Sequence, residues 1–293
     1  MIRIFGILIG LFFAACVLLW SFIPGVATVV GQGYLTEPTA EKEFHLEAHE
    51  PTGGYAFDGL FGTWDYGQLQ RGYKVYKEVC SACHSLRQVA FRNLEELGYS
   101  EAQVKAEAAS WVVPGIDPTT GEASTRPGLP TDYFPSPYPN NVAAAAANNN
   151  AIPPDLSLMT KARHHGSAYV YSLLTGYQDP SPELLEAFPE SAPGPGLYHN
   201  PYFANLNLAM APPLTMDGQV TYDDGTEASI EQMSADVAAF LTWTAEPTLI
   251  KRRQTGWPVL GFLFFATILA WFAKKSVWAN AKPQSSRTGR EDD

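Results

Sequence analysis

Cys80 and Cys83 stand three residues apart, and His84 follows directly. Two thiols so spaced at a helix end can both reach the vinyl groups on one edge of a porphyrin, while the next residue turns its imidazole under the iron. The pattern predicts one haem c, covalently held through Cys80 and Cys83, with His84 as a built-in axial ligand. A zinc knuckle or a thioredoxin-like redox pair also uses two cysteines at this spacing. Zinc would need further soft ligands, and His45, His49, His164, His165 and His199 form no second motif. A redox pair would need a βαβ setting, which the sequence does not offer. The third cysteine, Cys16, lies inside an apolar run, so no disulfide framework is available.

The sixth ligand separates electron transfer from chemistry at an open iron. Met233 falls on the apolar stripe of a helix and reads as core, and Met159 and Met216 suit either loop packing or ligation. Met210 is followed by Ala211-Pro212-Pro213. Two prolines fix φ and remove donors, which holds the loop in a restricted, extended path. On spacing alone Met210 competes with a bis-histidine arrangement that uses His164, His165 or His199.

Helical elements must position these groups. Tyr66 to Val79 carries Leu69, Tyr73, Tyr76 and Cys80 on one face and delivers the cysteines directly. Ser229 to Trp243 carries an apolar stripe of Ile230, Met233, Val237, Phe240 and Leu241, with Ser229 and Gln232 placed for a capping box. Trp111 to Asn150 is rich in proline and glycine and is expected to be irregular surface loop. No alternation suggests a large sheet, so the class is mainly α.

Two apolar runs flank this region. Ile4 to Ile23 follows Arg3 and is either a signal peptide, with a small-x-small site at Gly25-Val26-Ala27, or a retained membrane helix. It lacks the Arg- and Ser-rich character of a mitochondrial transit peptide, which points to a bacterial source. Trp257 to Ala273 carries an aromatic belt of Trp257, Trp271 and Trp278, with Lys274-Lys275 behind it. It reads as a membrane helix with a cytoplasmic C-terminus, although Lys251, Arg252 and Arg253 ahead of it weaken the charge argument. The expected organisation is an N-terminal segment over 1–32, a periplasmic domain over 33–250, an anchor over 251–275 and a cytoplasmic tail over 276–293. The location is a bacterial inner membrane.

Of the 293 residues, 46% are hydrophobic and 17% charged, which argues against disorder. The net charge of −11 argues against nucleic acid as a partner and suits a basic protein.

The chain resembles the cytochrome c1 family, the haem subunits of the quinol:cytochrome c oxidoreductase (cytochrome bc1 complex). The resemblance rests on an ordered series covering most of the chain. Gly59-Leu60-Phe61-Gly62 and Leu69-Gln70-Arg71-Gly72-Tyr73 precede the cysteines, and Pro153-Pro154-Asp155-Leu156-Ser157 and Ala162-Arg163-His164 follow. Then come Tyr169 to Tyr177, Asn200-Pro201-Tyr202-Phe203, Ala209 to Pro213, Tyr222 to Thr226, Asp236-Val237 and Ala245-Glu246-Pro247. The resemblance implies a class I cytochrome c-like haem domain with long irregular loops, and it makes His84 and Met210 the axial ligands. It also implies that Arg163 lies near a haem propionate, Tyr169 lines the haem pocket, and Pro153 and Pro154 pack on the haem. His164-His165-Gly166 departs from the more usual His-Gly-Gly. The extra cysteine pair of some bacterial members is also missing, so the Met210 loop must be stiffened by other means.

By this resemblance, the chain is an electron carrier that makes and breaks no bonds. It takes electrons from a Rieske iron-sulfur subunit, gives them to a cytochrome c, and assembles with cytochrome b in a dimeric complex. Glu183, Glu186 and Glu190, with Asp223 and Asp224, are candidate docking acids. The residues also allow two rivals: the haem subunit of another respiratory complex, and a haem enzyme or sensor with an open iron.

Overall fold

A computed structural model of the chain describes residues 2–31 and 38–279. The tail expected from residue 276 lies outside the described residues beyond Ala279. The helices are α1 (Ile2–Val17), α2 (Ile23–Gly31), α3 (Ala40–Phe44), α4 (Tyr66–Glu78), α5 (Glu101–Ala109), α6 (Asn141–Ala147), α7 (Met159–Ala162), α8 (Gly166–Thr175), α9 (Pro182–Ala187), α10 (Ile230–Ala245) and α11 (Leu249–Trp278). The strands are β1 (Val112–Ile116), β2 (Ala123–Pro127), β3 (Tyr198–His199) and β4 (Asn207–Leu208). The architecture is mainly α, as expected.

The chain divides into two compact units, Met1–Glu47 with Gln178–Leu208, and Ala48–Tyr177 with Ala209–Asp293. The smaller unit packs Ala40, Leu184 and Leu206 with Phe44 and Phe188 against them, and β3 pairs antiparallel with β4.

The larger unit is built on α4 crossing α10. In α4, the Asp65 side chain accepts from the Gln68 N–H, and Leu69, Gly72, Tyr73, Val75 and Tyr76 are buried. Helix α10 is buried along most of its length, with Phe240 and Trp243 stacked at 5.8 Å. Tyr73, Tyr76, Phe91, Trp111, Phe134 and Phe240 form one aromatic cluster between these helices and the loops around them. The close approach is possible because residue 72 has no side chain: a Cβ there would lie 2.0 Å from the Asp236 carbonyl oxygen. Arg71 beside it donates from Nε to Asp236 at 2.9 Å and from Nη1 to Asp224 at 2.7 Å, and its guanidinium lies over the Tyr222 ring.

Two local expectations change. Residues 111–150 are not wholly irregular: β1 and β2 form a hairpin with Val112 opposite Pro127, and α6 starts where Asn140 accepts from the Ala143 N–H. The alanine run has the propensity for a helix once Asn140 caps it. At α10 only half of the capping box forms. Ser229 accepts from the Gln232 N–H, while the Gln232 amide reaches forward to Asp236 instead. The Gln232 Nε2–H group donates to a buried carboxylate, a charge-assisted bond that turns the side chain away from the Ser229 N–H.

Two helical stretches, Ile4–Val29 and Leu249–Trp278, are long and apolar enough to cross a membrane. In the first, a wider π turn at Leu18–Phe22 separates α1 from α2. Pro24 supplies no N–H to the preceding turn, which accounts for the local widening.

Candidate functional site

Helix α4 ends at Glu78, and its Val79 N–H still bonds the Val75 carbonyl. The chain then tightens into a single 3₁₀ turn over Cys80–Ala82. The Cys83 and His84 amides both bond the Cys80 carbonyl, at 3.1 and 2.9 Å, and the Ser81 hydroxyl caps the Lys77 carbonyl. Both thiols are free and partly buried. Burial, with some help from Cys83, pushes the Cys80 thiol up to about 12. This is opposite to the activated thiolate of a thiol-redox pair. The Tyr138 hydroxyl donates to Cys83 Sγ at 3.8 Å.

His84 Nδ1 lies 2.8 Å from the Pro154 carbonyl oxygen, seventy residues away in the chain. A proton on Nδ1 donated to that oxygen leaves Nε2 with its lone pair free to ligate. Burial lowers the His84 pKa, against the opposing pull of Pro154 and Asp155, so the neutral imidazole is favoured. Asp155 holds the Pro154 segment in place. It accepts from the Ser85 hydroxyl and the Arg87 N–H on one side and from the Ser157 N–H on the other. Burial pushes the Asp155 carboxyl up, but these hydrogen bonds outweigh it and hold it below its ordinary value. Pro153 and Cys83 line one narrow cleft with Tyr138 and Ile152.

Helix α8 gathers the other candidates. Arg163 precedes it and is exposed; Tyr169 lies within it, half-buried. Burial raises the Tyr169 hydroxyl pKa, and the Arg163 guanidinium beside it partly offsets the rise. His165 and Gly166, at the start of α8, are both left-handed, at φ 62° and 51°. Just past the helix, the Tyr177 hydroxyl donates to the Met210 carbonyl at 3.0 Å. Gln219 closes the same loop by donating to the Pro213 carbonyl at 2.8 Å and accepting from the Thr215 N–H at 2.9 Å. These bonds brace the loop that carries Met210.

The competing residues differ in burial and position. Met233 is fully buried in the core, Met216 is exposed, Met159 packs against the core, and Met210 is half-buried. His164 and His165 are exposed and meet edge-to-face at 4.0 Å, and His199 belongs to the smaller unit. The candidate docking acids Glu183, Glu186, Glu190, Asp223 and Asp224 are all exposed, and Asp223 also pairs with Lys74 and Asp224 with Arg71.

The Cytochrome C1 family profile matches residues 55–281. This chain belongs to the cytochrome c1 family. It is 45% identical over 237 residues to cytochrome c1 of Rhodospirillum rubrum, covering 78% of this chain and 87% of that protein. It is 43% identical over 251 residues to the mitochondrial cytochrome c1 heme protein of Saccharomyces cerevisiae, covering 85% and 79%. It is also 46% identical over 246 residues to cytochrome b/c1 of Bradyrhizobium diazoefficiens, covering 79% of this chain but only 36% of that longer protein. Membership of the cytochrome c1 family implies electron transport through a covalent haem c. The donor set fits that group: two unpaired thiols, and an imidazole whose other nitrogen is already tied to a carbonyl oxygen.

Sequence reasoning missed Tyr138, Tyr177, Asp155 and Gln219 as supports of the site. Asp155 and Tyr177 lie within stretches that match the family, so a signal existed. Tyr138 sits in the segment read as irregular loop and offered none.

Proposed function

We propose that this chain is the electron-transfer subunit of a quinol:cytochrome c oxidoreductase, passing single electrons from a Rieske iron-sulfur subunit to a cytochrome c. The observation that carries this reading is His84, oriented by the Pro154 carbonyl directly after two free thiols at the end of α4. When bound, haem c supplies reversible one-electron exchange, and a histidine–methionine ligand pair raises its potential.

The chain's own residues do the rest. Cys80 and Cys83 form the two thioether bonds. His84 ligates through Nε2 while Pro154 fixes its ring, and Asp155 fixes Pro154. Met210 is the sixth ligand, on a loop braced by Tyr177 and Gln219. Arg163 and Tyr169 hold a propionate by charge-assisted and neutral hydrogen bonds. Pro153 and Pro154 pack on the porphyrin. Helix α11 anchors the chain in a bacterial inner membrane with the haem domain on the periplasmic side. Ile4–Val29 is a second span or a cleaved signal, and cytochrome b and the Rieske protein are its neighbours in a dimeric complex.

Met210→Leu tests the ligand assignment. It removes the sulfur at similar volume, so packing losses stay below about 1.5 kcal/mol. The midpoint potential should fall well beyond the roughly 59 mV that marks a tenfold change for one electron. The iron should bind carbon monoxide, and quinol:cytochrome c activity should be largely lost although the chain assembles. Met159→Leu, Met216→Leu and Met233→Leu are the controls; a wild-type spectrum and potential in Met210→Leu, with loss in a control, means another methionine is the ligand. Copurification with cytochrome b and a Rieske protein tests the complex, and their absence would favour another respiratory assembly.

A further inference from the structure

Phe61 is 86% exposed and Leu60 63%, adjacent at the tip of a loop in the larger unit. Single exposed apolar side chains are ordinary, but this pair is held out by a built support. Behind the tip, Phe57 is buried and stacks on Tyr55 at 4.8 Å, and Trp64 packs against Phe57 at 5.1 Å. The Tyr55 N–H bonds the Asp58 carboxylate at 2.8 Å, and the Thr63 N–H bonds the Ala56 carbonyl at 2.9 Å, closing the loop at its base. Gly62 lets the returning chain pass close behind: a Cβ there would lie 2.4 Å from the Phe57 carbonyl.

The loop is fastened to the start of α11. Arg253 donates to the carbonyl oxygens of Phe57 and Gly59, the latter at 2.8 Å. The Phe61 ring lies nearly parallel to that of Trp257, with centroids 6.5 Å apart and planes at 15°. These contacts set the depth of the tip. The stretch between Arg253 and Lys274 carries no charge, and at about 1.5 Å per residue it spans about 30 Å, the thickness of a bilayer's hydrocarbon core. Arg253 therefore marks the outer boundary of that core, and Trp257 lies one turn further in, where aromatic side chains favour the interface. Lys251 and Arg252, both exposed, stand at headgroup level just outside.

We propose that Leu60 and Phe61 are a membrane-surface anchor, seated among the outer-leaflet lipids beside Trp257. The inference rests on the reading of α11 as a membrane span. Burying two large apolar side chains in lipid makes the larger unit grip the bilayer at a second point. A rigid loop fixed by Arg253 then resists rotation of the domain about the α11 axis.

The test uses the full haem-loaded chain in its complex, in nanodiscs of phosphatidylcholine and phosphatidylglycerol, on a Cys16→Ser background. A nitroxide is placed singly at Leu60→Cys, at Phe264→Cys on the face of α11, or at Glu231→Cys as the aqueous reference. All three positions are exposed, so labelling leaves the fold intact. Power-saturation spectroscopy compares access of oxygen with access of a nickel chelate. The expected oxygen-to-nickel ratio at position 60 is severalfold that at position 231, with nickel excluded at position 264. A ratio at 60 equal to that at 231, with nickel still excluded at 264, overturns this inference alone. Protection of position 60 from both agents also overturns it, because a neighbouring subunit then covers the tip. Nickel access at 264 ends the membrane reading of α11 and the inference with it.

Discussion

Gly72→Ala introduces one methyl group where α4 touches α10. The new Cβ would lie 2.0 Å from the Asp236 carbonyl oxygen, 2.6 Å from its carbon and 2.7 Å from Phe240 Cβ. Ordinary contact begins at 3.4 Å, so the helices must part by about 1.4 Å along that line in an interior packed to crystal-like density. Two of the three obstructing atoms are backbone, so no rotamer change relieves them. Overpacking costs of about 1–3 kcal/mol are usual, and this geometry belongs at the upper end, about 3 kcal/mol. Alanine returns about 1 kcal/mol through its better helix propensity. The net loss is about 2 kcal/mol, which lowers Tm by about 4–8 °C for a domain of this size. Thermal unfolding of the haem-loaded full chain, followed by far-ultraviolet circular dichroism, measures the shift. Gly67→Ala is the control, because it sits in the first turn of the same helix and meets only the ends of the Asp65 and Arg71 side chains. A Gly72→Ala chain that melts with the wild type, or a Gly67→Ala chain that is equally damaged, would refute the reasoning.

Arg71→Met should destabilise the fold by about 3 kcal/mol, because it leaves the fully buried Asp236 carboxylate with the neutral Gln232 amide but without its cationic partner. The double variant Arg71→Met with Asp236→Leu should recover most of that loss in a urea titration, and no recovery would mean that Arg71 acts through packing alone. Burial pushes the Glu107 carboxyl up, but hydrogen bonds from Lys77, Tyr73 and Trp111 outweigh it and hold its pKa below the ordinary value. Its folded-state pKa is depressed, so its contribution is full above the unfolded value of about 4.3 and is lost as pH falls through the folded value. Unfolding free energy measured from pH 6 downwards should therefore fall more steeply below about pH 4.3 in the wild type than in Glu107→Gln, and equal slopes would count against the network.

Local chemistry was legible in the sequence. Cys80, Cys83 and His84 lie within five residues, so their proximity could be read without the fold. Helices α4 and α10 were readable because Leu69, Tyr73 and Tyr76, and likewise Met233, Val237, Phe240 and Leu241, recur at the period of a helix that buries one face. The apolar length of α11 was equally plain, since length and composition alone suffice for a candidate span. Pairings between distant segments were not legible. Nothing near His84 in the chain points to the Pro154 carbonyl, and nothing near Arg71 points to Asp236, 165 residues on. The half-formed box at Ser229 and the helix at Asn141–Ala147 inside a proline-rich segment depended on which acceptor or cap packing brought near. The bracing of Met210 by Tyr177 and Gln219 has the same origin. Periodicity and spacing are properties of a chain read along its length, whereas a hydrogen bond across seventy residues exists only once burial has excluded water and left each polar group one partner within reach.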